Sequence, residues 1–223
     1  MLGNVARHGE QGVSADVTRV VVIGAGGHAR VAIEALADSG FEVVGCVSGD
    51  GGGVPGLPCP VLGRDTEVAA LAAAHGATGV FVAVGHNRTR QRLQTAAEAA
   101  GLVPVNAISR FAMVSPSARV GRGVLVAAGA VVNAMAQVGD GAILNTRCSI
   151  DHDGVVGSFA HVSVGVATGG AVTVGDRALV GLGSVVLPGR TVGADATVGG
   201  GAVVVEDVAP GATVVGVPAR RTR

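Results

Sequence analysis

The sequence predicts an α/β, Rossmann-like domain over residues 19–107, followed by a parallel β-helix of hexapeptide repeats over residues 108–223. Three observations carry this reading. Short β-branched runs alternate with helix-forming runs up to Ala107, the pattern of a parallel sheet flanked by helices. An unbroken six-residue period begins at Ile108, and such a period marks a parallel β-helix. The 223 residues include 38 glycines and only 14% charged side chains, so the backbone turns often and packs small aliphatic groups.

Residues 1–18 are polar and glycine-containing, with no apolar stretch, and read as a flexible leader rather than a signal peptide. "TRVVVIG", from Thr18, is a buried parallel strand. "HARVAIEALADSG" is a helix stopped by Gly40, with Val31, Ile33, Ala35 and Leu36 among good helix formers. "EVVGCV" is the second strand. "DTEVAALAAAHG" is a helix with Asp65 as N-cap and Gly76 near its C′ end. "GVFVAVG" is the third strand, "NRTRQRLQTAAEAAG" the third helix and "LVPVNA" a last short strand, giving a sheet of about four strands.

Written in sixes from Ile108 to Val198, the first position is a branched aliphatic in fifteen of sixteen hexads, and Thr168 is the exception. The fifth position is mostly small, as at Ala112, Ala130, Ala160 and Ala196, and the second is glycine in half the hexads. The aliphatic side chain points inward and the small residue packs beside the turn. Glycine is expected to supply the positive φ of tight corners. Three hexads make a triangular coil, so the array stacks about five coils roughly 4.8 Å apart.

Composition excludes several function classes. Lys plus Arg and Asp plus Glu number 16 each, so the net charge is zero and the basic excess of a nucleic-acid binder is missing. Glycine breaks every apolar run before the 18 or so residues of a membrane span accumulate. Cys46, Cys59 and Cys148 are odd in number and lack metal-ligand spacing. Neither a disulfide frame nor a zinc knuckle is indicated, and a reducing cytoplasm is the expected compartment.

Inside the array, "CSIDHDGVV" sets His152 between Asp151 and Asp153 in a tract nearly free of ionisable groups. A histidine exchanges a proton near neutral pH, and an adjacent carboxylate fixes its tautomer and raises its basicity. Asp151 and Asp153 compete for that role. Because consecutive side chains on a flat face diverge, a neighbouring subunit is a further source of the partner. The bland alternative is a solvated polar corner. In the first region, "GAGGHA" (residues 24–29) closes a strand and opens a helix, where backbone amides can hold phosphate. NAD is opposed by the end of the second strand, "CVSGDGGG", which offers only Ser48 and Asp50 for the ribose. The second mononucleotide-binding half is also missing, and a nucleotide-sugar pyrophosphate fits better.

The order of these parts resembles the hexapeptide-repeat sugar O-/N-acetyltransferases, of the sialic acid O-acetyltransferase and bacterial UDP-4-amino-sugar acetyltransferase type. The likeness rests on "VVIGAGGHAR", "VAVGHNRTR", "ILNTRCSIDHDGVVGSFAHVSVG", "GLGSVVLPG", "VGGGAVV" and "VVGVPAR", and spans nearly the whole chain after the leader. It implies a left-handed β-helix, against the usual crossover rule, that trimerises and binds acetyl-CoA in clefts between neighbouring subunits. The N-terminal domain would then hold the nucleotide-sugar. By resemblance His152 is the catalytic base, with Asp153, Asp151 and Asn145 around it. His161, Gly170, Leu182 and Gly200 bind acetyl-CoA, the Gly170 backbone serving as oxyanion donor. Gly26, Gly27, His28, Ser48 and Gly63 bind the nucleotide-sugar. The family often has Glu where this chain has Asp beside His152, and usually paired Asp near Ser48.

The implied activity is acetyl-CoA-dependent N-acetylation of the amino group of a nucleotide-activated amino sugar, through a tetrahedral intermediate and without a metal. O-acetylation of a sugar hydroxyl, on sialic acid or a glycan precursor, is the alternative. A cytoplasmic homotrimer binding neither nucleic acid nor membrane is expected. A zinc-dependent β-helix enzyme needs three histidines, and the array holds only His152 and His161. An NAD oxidoreductase leaves the hexads unexplained. His8 and His75 read as bland, and Cys148 as a core residue. His86, Asn87 and Arg90 either border the nucleotide pocket or cap the third helix. Arg220, Arg221 and Arg223 form a solvated tail or meet the phosphates of CoA.

Overall fold

The computed structural model describes residues 18–222, so all of the leader but Thr18, and Arg223, lie outside the described residues. Five parallel strands form the N-terminal sheet: β1 (Arg19–Ile23), β2 (Glu42–Ser48), β3 (Val61–Arg64), β4 (Gly79–Val82) and β5 (Val103–Pro104), in the order β3-β2-β1-β4-β5. Four of them match the expected strands. β3 was not foreseen, because "VLGR" is four residues long and at most half-buried, too short to show a period.

Three helices flank the sheet: α1 (Gly27–Asp38), α2 (Val68–Ala74) and α3 (Asn87–Ala99). In α1, Ala29, Ala32, Ile33 and Leu36 fall on one face at spacings of three and four. They share a core with Leu125, Ala127 and Ile143 of the second region, so the two regions are packed together. Asp65 does not cap α2. It opens a 3₁₀ turn (Asp65–Glu67) in which Glu67 Oε2 accepts the Arg64 N–H at 3.2 Å, and α2 starts only at Val68. Gly76, with φ 64°, follows the end of α2 as expected.

From Ala107–Ile108 onward the chain is a three-sided stack whose strand partners lie one coil apart, as in Val155↔Thr173 and His161↔Leu179. One face has six strands (Met113–Val114 to Val203–Val204), one five (Arg119–Val120 to Thr191–Val192) and one eight (Ala107–Ile108 to Arg220–Arg221). The branched aliphatics, the small fifth-position residues and Cys148 fill its interior. The N-terminal domain covers the eight-strand face, so even the outward-facing Leu125 and Ile143 are buried. The final pair is antiparallel, Val214 with Arg221 and Val215 with Arg220, so two of the tail arginines sit in an exposed strand.

The glycines do two separate jobs, not the one expected. Positive φ falls at the fourth position of the hexads, on Gly123, Gly141 and Gly165 but equally on Met135, Arg147, Asp153 and Arg177. Second-position glycines lack it. A Cβ on Gly139 would stand 2.6 Å from Ser158 N, and one on Gly157 2.5 Å from Asp176 N. Those positions are glycine because the next coil's backbone occupies the space where a side chain would start.

Candidate active site

His152 sits at the corner between the six- and five-strand faces, just after the strand Ser149–Ile150. Its Nδ1 lies 2.8 Å from Asp153 Oδ2. Consecutive side chains were expected to diverge. They converge because Asp153 is left-handed, with φ 57°, a conformation that Asp tolerates better than most residues. Asp151 does something else: its Oδ1 accepts the His152 backbone N–H at 2.8 Å and Asn133 Nδ2 at 3.0 Å. The Asp151 N–H in turn donates to Thr168 Oγ1 at 3.3 Å, and that hydroxyl donates to Ser149 O at 3.2 Å. Asp151 builds the corner, and Asp153 meets the imidazole.

Gly170 lies one coil further on. A Cβ there would fall 2.5 Å from both Nε2 and Cε1 of His152, so the imidazole rests against bare backbone. Among the described residues the Gly170 N–H has no acceptor. The hydrogen bond to Asp153, and then the charge of Asp151, raise the His152 pKa above its ordinary 6.5. The Asp151 carboxyl is held below its usual range by the backbone N–H of His152 and by Asn133.

The sequence pattern marks Thr168 only as a break in the hexads and assigns neither it nor Asn133 a place at the site, although a signal exists. Thr168 is the one break in the aliphatic column, one coil after Ile150, and Asn133 lies one coil before Asp151. Thr168→Val keeps the shape but leaves the Asp151 N–H without its acceptor and removes the hydroxyl's bond to Ser149 O. A loss of about 1–3 kcal/mol is expected in chemical denaturation, and unchanged stability would contradict this role.

Asn145 and His161 lie elsewhere, where the N-terminal domain meets the eight-strand face. Asn145 Oδ1 accepts the Thr146 N–H at 2.8 Å, which fixes the amide orientation. Asn145 Nδ2 therefore donates to His161 Nε2, 3.2 Å away. The His28 ring, from the first turn of α1, is centred 6.3 Å from that of His161. Burial, then the charge of Arg90, then His28 push the His161 pKa down to about 4. Burial and Arg90 lower that of His28 as well. Both imidazoles are neutral near pH 7, and the buried Nε2 of His28 has no partner among the described residues.

The sheet order reverses between β1 and β4, the place where ligands settle in open α/β sheets. Gly24, with φ 116°, lets the β1–α1 turn come so close to β4 that a Cβ would lie 2.6 Å from Ala83 O. Gly26 and Gly27 have open space beside them, and no side chain caps α1. Ser48 Oγ lies 2.9 Å from Asp50 Oδ1 and 2.6 Å from Gly52 O, within the loop after β2. Gly63 is in β3, where a Cβ would press on Leu71 of α2 at 3.2 Å. His86 caps α3 by accepting the Thr89 N–H. Asn87 and Arg90 also reach the β-helix, donating to Arg177 O and Gly141 O.

Leu182 and Gly200 lie on a third location, the corner between the eight- and six-strand faces, where Leu182 is 62% exposed. One chain thus brings His152, Asp151, Asp153 and Gly170 together, and separately gathers His28, His161 and Asn145. Among the described residues, no three His, Cys, Asp or Glu side chains are grouped to hold a metal, and no helix is long and apolar enough to cross a membrane.

Residues 19–97 match the family model of the PglD N-terminal domain. Over 95% of its length this chain is 42% identical to a histidine-to-asparagine mutant of perosamine N-acetyltransferase from Caulobacter crescentus, solved in complex with CoA and GDP-perosamine. That match covers 100% of the other chain, with a TM-score of 0.88. This chain belongs to the hexapeptide-repeat sugar acetyltransferases. A second family member, the acetyltransferase domain of PglB from Neisseria gonorrhoeae in complex with acetyl coenzyme A, is 36% identical over 92% of this chain and 100% of that one, with a TM-score of 0.84. WeeI from Acinetobacter baumannii, at 23% identity and a TM-score of 0.76 over 92% and 100%, shares the fold. The α/β domain followed by a left-handed β-helix is the architecture of this acyltransferase family, as expected.

Proposed function

We propose that this chain is an acetyl-CoA-dependent N-acetyltransferase acting on the amino group of a nucleotide-activated amino sugar, with His152 as general base. The observation that carries the reading is the His152–Asp153 pair resting against Gly170. The sugar nitrogen attacks the thioester carbonyl, a C–N bond forms, and His152 Nε2 takes the amine proton. The carbonyl electron pair moves to oxygen, where the Gly170 N–H is a donor to the tetrahedral intermediate. Collapse breaks the C–S bond, and the imidazolium returns its proton to the CoA sulfur. Asp153 holds the ring with Nδ1–H toward itself and Nε2 free.

Support for the co-substrates comes from the relatives, solved with CoA and GDP-perosamine or with acetyl coenzyme A. The open, uncapped start of α1 at Gly26 and Gly27 supports a pyrophosphate site, with His28 behind it. Ser48 borders the same crevice at the end of β2, and Gly63 lets α2 close on β3 beneath it. Leu182 and Gly200 lie on a different corner from His152, so a homotrimer in which one subunit's corner faces its neighbour's is the assembly that unites them. The exposed Leu182, Val185 and Leu187 fit such a covered surface. The reaction belongs in the cytoplasm, where acetyl-CoA and nucleotide-sugars are available.

The reading fixes a pH dependence. A base whose pKa is raised above 6.5 loses its free form as pH falls through that raised value, so kcat/KM declines on the acid side above pH 6.5. Asp153→Asn removes the largest cause of the shift. Its acid limb is expected at lower pH than in the wild type, with a maximal rate about tenfold down. An acid limb that stays in place would contradict the pairing.

A further inference from the structure

Arg90 is 1% exposed, and the ion pairs among the described residues do not include it. Its guanidinium is met by neutral oxygens instead. Nε donates to Gly141 O at 2.7 Å, and Nη1 to Val84 O and Gly85 O at 2.9 and 3.0 Å. Nη2 donates to Asn87 Oδ1 at 2.9 Å, Phe159 O at 2.7 Å and Ala160 O at 3.3 Å. Burying an unpaired charge is unfavourable, and burial lowers this pKa to about 10. An apolar side chain would fill the space without that penalty, so packing alone does not account for an arginine.

The partners explain the choice. Val84 and Gly85 follow β4, at the crevice where the sheet order reverses. Phe159 and Ala160 lead directly into the strand that carries His161. Asn87 Nδ2 donates to Arg177 O at 2.8 Å, and Arg88 pairs with Asp195 at 2.9 Å. Gly141, Phe159, Arg177 and Asp195 are the same hexad position on four successive coils, so the first turn of α3 is pinned along one edge of the β-helix.

We propose that Arg90 is a positioning residue for acetyl transfer, locking residues 84–87 of the nucleotide-sugar crevice to the β-helix coils so that the bound sugar is presented in a fixed register. The inference rests on the nucleotide-sugar reading given above. Around His161 stand the charge of Arg90 from α3, the His28 ring from α1, Asn145 from the preceding coil and the Gly85 backbone.

The test compares full-length Arg90→Lys and Arg90→Gln with wild type, using acetyl-CoA and an amino sugar that the wild type turns over. Both variants lose the fork, so kcat is expected to fall about 100-fold while the KM for acetyl-CoA stays unchanged. A fall in kcat with an unchanged KM for acetyl-CoA is the split that a merely structural role, which would disturb both, would not produce. Folded variants with wild-type kcat overturn the inference. Asn87→Ala, at a less buried position, covers the case in which neither arginine variant folds: kcat falls about tenfold, and a wild-type kcat there is equally fatal. If the wild type acetylates no nucleotide-sugar, the functional reading fails while the brace is still read by amide exchange. Exchange at residues 84–87 is faster in Arg90→Gln or Asn87→Ala if the brace exists, and unchanged if it does not.

Discussion

His152→Ala lowers kcat for acetyl transfer by about 10²–10⁴-fold and leaves the KM for acetyl-CoA nearly unchanged. The size follows from what is lost and what stays. The imidazole is more than half exposed and is held by Asp153 and the Gly170 surface, so its removal opens no cavity in the core. The Gly170 N–H and the rest of the cleft remain, which caps the loss well below the full catalytic effect. His152→Asn is expected to behave alike, because an amide of similar size cannot take a proton. Initial-rate kinetics with thiol detection, beside a thermal melt, separate this from unfolding. A loss of less than tenfold in a folded variant would return the Asp-His-Asp cluster to the status of a polar corner.

Gly139→Ala is expected to destabilise the chain by about 3 kcal/mol or more, far beyond its small change in size. The new Cβ would lie 2.6 Å from Ser158 N and 2.9 Å from both Gly157 C and Ser158 Cα. All three are backbone atoms of the next coil, which cannot turn aside as a flexible side chain would. In a stacked array each coil is stabilised by its neighbours, so a forced gap at one level weakens both. Gly165→Ala is the control. Gly165 has φ 69° and nothing within 4 Å of its would-be Cβ, so only the left-handed strain of about 1–2 kcal/mol is paid. Denaturant titration of the two variants separates coil contact from backbone strain. Equal losses would show that both glycines serve the same purpose.

These contrasts mark how far the sequence could be read. The hexad column from Ile108 to Val198 is written in side-chain size, and the stacked strands follow it because burial of a branched aliphatic at every sixth residue permits no other register. The α/β alternation was equally plain where elements were long. β3 and the 3₁₀ turn at Asp65 escaped because both are too short to carry a period. At the site, the residue types of the Asp-His-Asp cluster were visible. The division of labour between Asp151 and Asp153 was not, since it depends on one left-handed φ at Asp153. The neutral state of His161 was hidden for a different reason. It arises from burial under another domain and from an arginine 71 positions earlier in the chain, a proximity that no local pattern encodes.

The most direct measurement is thiol release from acetyl-CoA across GDP-, UDP- and dTDP-linked amino sugars, their hydroxyl counterparts and free sialic acid, with wild type beside His152→Ala. The account predicts turnover with a nucleotide-linked amino sugar, an N-acetyl product, and loss of that turnover in His152→Ala. Release confined to hydroxyl acceptors, or wild-type activity in His152→Ala, would contradict it.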